Sequence, residues 1–205
     1  MATLRLKTQW FKPGQPRSAV QTASAIAFIV WRVARNMLDR MRKADFDIDI
    51  GPPYFAFLRE VLVFLVTVAD RMAHARQAGE ARDAFTTALV LRVAELLDEN
   101  ESDLLGPPAP GEPSWRDRFI DQFNDVSGHY AEFGWDSEDD GPDFAYRRYL
   151  GSRIEPLVPP KDQRWVLDQV MDIEAPEAVA LVRRGMQGVF STERRSRRAA
   201  SMGGD

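Results

Sequence analysis

This chain of 205 residues has no cysteine and only two histidines. The lack of cysteine excludes disulfides, thiol nucleophiles and cysteine-ligated metals. It also fits a reducing compartment, so we expect the protein in the cytoplasm. The sequence contains no glycine-rich phosphate loop, GxSxG elbow or HExxH motif. It therefore gives no positive support for nucleotide hydrolysis, ester hydrolysis or zinc proteolysis.

Long apolar runs are also missing. The longest uncharged run, residues 18–31, is shorter than the roughly 20 apolar residues that a membrane-spanning helix needs. The first residues lack the apolar segment and small-residue cleavage site of a secretory signal. We therefore predict no membrane insertion. Hydrophobic residues make up 44% of the chain, which is enough for a sizeable folded core.

Charge is distributed unevenly along the chain. Residues 1–79 hold 12 Lys/Arg and 6 Asp/Glu, residues 80–190 hold 11 and 23, and residues 191–205 hold 4 and 2. Two interpretations remain open. The basic and acidic faces complement each other within one fold or across a homodimer, or the basic face steers an anionic partner toward the protein.

Helical patterns account for most of the sequence. Ser18 and Gln21 have the spacing of a capping box and predict a helix over 18–43. Pro53 suits the first position of a second helix, 53–77, and a third follows over 80–100. The fold class is therefore all-α, a bundle of six or seven helices with three long N-terminal helices. Thr3–Lys7 is expected to form an extended arm.

Four prolines mark residues 106–113 as a linker. We expect the long-helix bundle over 1–105 and shorter helices over 114–190 that pack on it, with the two parts forming one globular domain overall. Gly141–Pro142 and Pro159–Pro160 are each predicted to open a helix, and Ala175–Pro176 to break the chain before a last helix ending near Phe190. Residues 191–205 are expected to be a disordered basic tail.

The second helix has a narrow polar stripe. At 100° per residue, its strongly polar side chains between Tyr54 and Ala75 fall within one arc of about 120°, and the rest of its circumference is apolar. This pattern predicts a mostly buried helix whose stripe faces water, a partner subunit or a metal. The stripe consists of Arg59, Glu60, Thr67, Asp70, Arg71 and His74.

Both histidines lie four residues after an aspartate, and one is followed by a glutamate at helical spacing. Two such helices facing each other would bring imidazoles and carboxylates together, the ligand types of non-haem metal sites in helical bundles. Local ion pairs explain the same spacing. The repeated Glu-x-x-His signature of di-iron bundles is absent. The candidate metal ligands are Glu60, Asp70, His74, Asp125, His129 and Glu132.

Two further charged segments resemble binding motifs. Residues 136–141 match the first half of an EF-hand loop, but Arg147 stands where the bidentate glutamate should be, so a solvated acidic loop is expected. The arginines at 194–198 are able to pair with phosphates, as are the basic residues near the end of the first helix. Because the chain as a whole is acidic, nucleic acid is not expected as a partner.

These observations favour a non-catalytic helical interaction or regulatory protein that binds a protein partner or itself as a homo-oligomer. No catalytic residue or organic cofactor is predicted. The alternative is a metal-dependent, ferritin-like oxidoreductase or metal-binding protein that uses a transition metal at the six residues named above. A third hypothesis is a pocket for an apolar ligand between the first two helices.

Overall fold

The computed structural model describes the backbone of residues 18–77, 79–136 and 141–201, with side chains up to Phe190. Within these ranges the chain forms an all-α bundle, which confirms the predicted fold class. The helices are α1 (Ala19–Lys43), α2 (Pro52–His74), α3 (Glu80–Leu105), α4 (Trp115–Glu132), α5 (Phe144–Ile154), α6 (Pro160–Asp168) and α7 (Ala175–Ser201). The predicted arm Thr3–Lys7 lies outside the described residues.

Serine caps the start of α1 and of α4. The Ser18 hydroxyl accepts a hydrogen bond from the Gln21 backbone N–H at 3.2 Å, and the Ser18 N–H donates to the Gln21 side chain at 3.1 Å. This reciprocal pair is the predicted capping box. Ser114 accepts from the Asp117 N–H at 3.0 Å in the same way. Each helix therefore begins directly after its serine cap, and α1 begins where the capping box predicts.

The proline-rich segment after α3 joins two helices that pack together. α3 continues to Leu105, and Gly106 ends it with a φ of 82°. The indole N–H of Trp115 donates to the Gly106 carbonyl at 3.0 Å, which ties the start of α4 to the end of α3. One hydrophobic core runs through residues on both sides of the linker, from α1 to α7.

Gly141–Pro142 does not open a helix, so that prediction was wrong. These two residues form a short strand, β2, antiparallel to β1 (Trp135–Asp136). The helix begins two residues later, because the Asp143 side chain accepts a hydrogen bond from the Tyr146 N–H at 2.8 Å and supplies the cap. The acidic loop between the strands, residues 137–140, lies outside the described residues.

The last helix begins at Ala175 as predicted, but the predicted break is absent, because the helical backbone continues from α6 into α7 without interruption. Gln169–Glu174 forms a π-helical segment between them. A proline within a helix lacks one N–H donor and crowds the carbonyl four residues earlier, here that of Asp172. This carbonyl belongs to the wider π turn, which accommodates the proline. The helical backbone then extends to Ser201 rather than ending near Phe190.

α2 is the central helix of the bundle. It packs against α1, α3, α4, α5 and α7, and most of its side chains are buried. Each large apolar side chain buried in this way stabilises the fold by about 1.5–3 kcal/mol. α2 is also long and apolar enough to cross a membrane, with a mean hydropathy of 1.5, and 72% of that window is buried inside the bundle.

Some large apolar side chains lie on the surface instead of in the core. Phe28 is 54% exposed and lies beneath the Arg92 guanidinium. Trp165 and Ile173 are also exposed. Ile29, the residue after Phe28, does pack inward, against Gly185 of α7, where any side chain would collide with it. Helical periodicity identified the faces but not the neighbours that cover them.

Candidate functional site

The polar stripe of α2 faces other helices of the same chain. At its first turns, Arg59 binds both carboxylate oxygens of Glu101 on α3, at 2.6 and 2.7 Å. Glu60 accepts two hydrogen bonds from Arg153 of α5, at 2.6 and 3.0 Å, and one from Gln122 of α4 at 2.9 Å. Buried charges require such partners, and here three different helices supply them.

The middle of the stripe is occupied by a buried hydroxyl chain. Tyr146 of α5 donates to the Thr67 hydroxyl at 2.8 Å, and Thr67 donates to the Phe64 carbonyl at 2.8 Å. Burial raises the pKa of the Tyr146 phenol, and the Thr67 hydrogen bond opposes this shift only in part. The phenol is therefore a hydrogen-bond donor at neutral pH and not a base.

The last turns of α2 bind α3 and α4. Asp70 accepts hydrogen bonds from Arg82 and from the Thr86 hydroxyl, the latter at 2.5 Å. Arg71 donates through Nη2 to the carbonyls of residues 130, 131 and 133, at 2.8 to 3.2 Å. A cation is favourable there, because the C-terminal carbonyls of a helix carry partial negative charge.

The six candidate metal ligands are spread over the buried and exposed parts of α2 and α4. Glu60 and Asp70 are engaged by arginines, whereas His74 lies exposed near the end of α2. Asp125, His129 and Glu132 lie on the exposed face of α4, and the His129 ring packs beside Tyr149. Among the described residues, no three His, Asp or Glu side chains form a group that could hold a metal ion. The metal hypothesis stays a prediction, which elemental analysis of protein purified without chelator would test.

Next to the stripe lies an aromatic cluster that the sequence analysis did not identify. Tyr130 and Tyr146 lie with ring centroids 4.7 Å apart, and Phe64, Phe133, Trp135 and Tyr149 complete the cluster. The Tyr130 hydroxyl is buried and has no hydrogen-bond partner among the described residues. Burial raises the pKa of this phenol well above its usual range, with smaller contributions from Tyr146 and Glu60.

A cleft opens beside the C-terminal half of α2, with a volume of about 490 Å³. We call it the α2–α4 cleft. α2, α3 and α4 form its walls, and Tyr146 of α5 also lines it. The residues that line it include Asp70, Arg71, Arg82, Asp83, Thr87, Ser127 and Gly128. The stripe of α2 had identified Asp70 and Arg71, but nothing in the sequence indicated which residues of α3 and α4 would face them.

A second concavity lies at the other end of α2 and has a volume of about 380 Å³. We call it the α1–α3 groove. Its apolar centre consists of Trp31, Ile50, Tyr54, Phe55 and Leu104, and its polar rim of Arg35, Asp39, Arg42, Asn100 and Asp103. Trp31 and Phe55 are nearly buried, whereas Ile50 and Leu104 are 63% and 52% exposed. The groove follows α1 from Trp31 to Arg42, about 16 Å at the helical rise.

The described ion pairs do not neutralise the uneven charge of the sequence. Three join a base of residues 1–79 to an acid of 80–190, and three join an acid of the first part to a base of the second. The pairing therefore leaves the acidic surplus of 80–190 where it was. The first group is Arg40–Glu174, Arg40–Glu177 and Arg59–Glu101, and the second is Asp70–Arg82, Glu60–Arg153 and Asp47–Lys161.

No family model, curated protein or solved structure matches this chain.

Proposed function

We propose that this chain is a non-catalytic helical interaction protein that self-associates through the α1–α3 groove. The observation that carries the proposal is the composition of the groove, which has an apolar centre with two exposed aliphatic side chains and a rim of charged residues. Protein interfaces commonly combine a desolvated apolar centre with a polar rim. Tryptophan, tyrosine and arginine, the residue types that contribute most binding energy in interfaces, are all present.

The charges of the rim favour a second copy of this chain as the occupant. On the α1 side, Arg35 and Arg42 outnumber Asp39, whereas Asp103 lies on the α3 side. A two-fold axis that runs along the groove would place the α1 rim of each copy opposite the α3 rim of the other. Each arginine-rich rim would then meet an aspartate, and the exposed Ile50 and Leu104 would be covered.

This arrangement follows the uneven charge of the chain as a whole. α1 belongs to the basic part of the sequence and α3 to the acidic part, and the ion pairs within the chain leave that difference in place. Complementary charge on an interface accelerates association and fixes its register. We therefore expect association to weaken as the salt concentration rises, because exposed charges are screened.

Sedimentation equilibrium on wild-type protein and two matched variants tests the proposal. Leu104 and Ile173 are both 52% exposed, but only Leu104 lines the groove. Wild type and Ile173→Asp should show the same concentration-dependent dimer, and Leu104→Asp should be monomeric. A wild type that stays monomeric up to about 100 µM, or a Leu104→Asp variant that dimerises like wild type, would overturn the proposal.

A charge swap tests the proposed pairing across the two-fold axis. Arg35→Glu should weaken the dimer, because it places a glutamate opposite Asp103 of the second copy. Asp103→Lys should weaken it for the converse reason. The double variant should recover most of the lost affinity, since a double change restores opposite charges. Additive losses in the double variant would contradict this geometry.

A further inference from the structure

We propose that the α2–α4 cleft binds a small zwitterion, a molecule that carries a carboxylate and an ammonium group. The cleft lies about 25 Å from the groove along α3, given the helical rise between Asp83 of the cleft and Asn100 of the groove. The inference therefore goes beyond self-association and does not depend on it. The volume of the α2–α4 cleft, about 490 Å³, lies within the range of small-molecule sites.

Two arginines of the cleft are held in place by the protein itself. Arg71 uses Nη2 for the carbonyls at the end of α4, and Arg82 uses Nε and Nη2 for Asp70. These bonds leave the other terminal nitrogen, Nη1, of each guanidinium without a hydrogen bond to the described residues. A guanidinium fixed along one edge loses little conformational entropy when its remaining N–H groups bind a carboxylate.

The cleft also contains a carboxylate, that of Asp83, which accepts no hydrogen bond from any of the described residues. Asp83 lies on the first turn of α3 and is exposed, one residue after Arg82. Asp70, by contrast, accepts bonds from both Arg82 and Thr86. An ammonium group in the cleft would therefore bind Asp83, and a carboxylate would bind the arginines.

The balance of charge distinguishes a zwitterion from a simple anion or cation. Two arginines and two aspartates line the cleft, so it has no net charge to attract an ion of one sign. Separated charges of opposite sign instead match a ligand whose own charges are separated. Hydroxyls of Thr87 and Ser127 on facing walls provide further donors and acceptors close to these charges.

Gly128 allows the cleft to be filled without straining the backbone. It lies on α4, lines the cleft, and has nothing within 4 Å of where a Cβ would be. Gly128→Ala should therefore leave the cleft open, whereas Gly128→Phe should fill it. Gly188 of α7 has the same open surroundings and does not line the cleft, so Gly188→Phe is the matched control.

The experiment is a thermal-shift and saturation-transfer NMR screen of the full-length protein. The probes are the standard free amino acids, with propionate, propylamine and glycerol as ligands that carry one charge or none. At least one amino acid should bind and raise the melting temperature, and the three simpler probes should not. Binding should persist in Gly128→Ala and Gly188→Phe, disappear in Gly128→Phe, and weaken about tenfold or more in Asp83→Asn.

Several results would overturn the inference. One is that no amino acid binds to folded wild-type protein at millimolar concentration. Another is that propionate or propylamine alone binds as well as the amino acid does. Unchanged binding in a folded Gly128→Phe variant would place the ligand outside the cleft. Melting curves of each variant without ligand establish that it is folded before binding is compared.

Discussion

The two ends of the α2–α3 helix pair are each joined by one arginine–carboxylate pair, and the two pairs differ in burial. Next to the α1–α3 groove, Arg59 and Glu101 have side chains that are 17% and 1% exposed. Next to the α2–α4 cleft, Arg82 and Asp70 are 33% and 18% exposed. The helices also exchange roles, because α2 supplies the base at one end and the acid at the other.

The same chemistry therefore has different consequences at the two ends. Burial raises the pKa of Glu101, although its hydrogen bond to Arg59 opposes the shift. At the other end, the hydrogen bond to Asp70 raises the pKa of Arg82 and outweighs burial. At the groove end, burial therefore disfavours the charged form of the carboxylate in the pair. At the cleft end, both side chains of the pair are still partly exposed to water.

The largest expected effect comes from breaking the buried pair. Arg59→Met leaves Glu101 without its partner in a site that water does not reach, and we expect a loss of about 3 kcal/mol in the free energy of unfolding. Urea unfolding measures it. Arg92→Met, which removes an arginine that is 28% exposed from a pair with the 47% exposed Glu95 within α3, is the control and should cost less than about 1 kcal/mol. Equal losses in the two variants would contradict the account.

Breaking the cleft-end pair should have a smaller effect. Arg82→Met leaves Asp70 partly exposed and still bound by Thr86, so we expect a loss of about 1 kcal/mol. The same urea titration gives the comparison directly. This loss should be clearly smaller than that of Arg59→Met, and the reverse order would show that burial does not set the difference in stability between the two pairs.

Glu101 predicts a pH dependence confined to the groove end. Because its pKa is higher in the folded state than in the unfolded chain, the folded state binds the proton more tightly. This contribution to stability is fully present below the unfolded pKa of about 4.3 and is lost as the pH rises through the folded value. Glu101→Gln should remove this part of the fall in the free energy of unfolding with rising pH, as measured by urea unfolding at pH values from 4 to 7. An unchanged profile would contradict the assignment.

Effects of about 1 kcal/mol or less are expected for the two neighbouring phenols beside the stripe, which lie between the two ends. Tyr146→Phe removes a buried hydrogen bond to Thr67 and should cost about 1 kcal/mol. Tyr130→Phe removes a hydroxyl that has no partner among the described residues, so stability at pH 7 should be unchanged or slightly higher. Thermal unfolding of both variants distinguishes them, and a larger loss for Tyr130→Phe would be contrary to the structure.

The phenols also predict an alkaline effect. Their folded pKa values are raised, so their contribution is present below the unfolded value of about 10 and is lost as the pH rises above it. Phenylalanine cannot ionise in the unfolded state. The stability of Tyr130→Phe relative to wild type should therefore increase between pH 9 and pH 11. A constant difference over this interval would argue against a buried, protonated phenol.

Local patterns in the sequence predicted the helices and the burial of α2 well. The capping box depends on residues three apart and an N-terminal proline on a single residue, so both are visible in the chain itself. The narrow polar stripe likewise showed that α2 is mostly enclosed. The partners of the stripe were not predictable, because Glu101, Arg153 and Tyr146 lie far away in sequence and only tertiary packing brings them to α2.

Errors of prediction occurred where tertiary context overrides local pattern. Pro176 reads as a break, but a π-helical segment accommodates it. Phe28 and Trp165 are large apolar residues of the kind that usually lie in a core, but the described residues leave 54% and 63% of their surface exposed. The lining of the α1–α3 groove was only partly predictable: the sequence suggested a pocket between the first two helices, but not that Leu104 of α3 and Ile50 of the connection after α1 would complete its apolar centre.

The most direct test of the central claim uses the absence of native cysteine. Ile50→Cys places one thiol in the groove, and Val20→Cys places one outside it on a residue that is also 63% exposed. The rate of maleimide labelling is then measured as the protein concentration is raised. Self-association through the groove predicts that labelling of Ile50→Cys slows with concentration while that of Val20→Cys stays constant. Equal rates for both thiols at every concentration would contradict it.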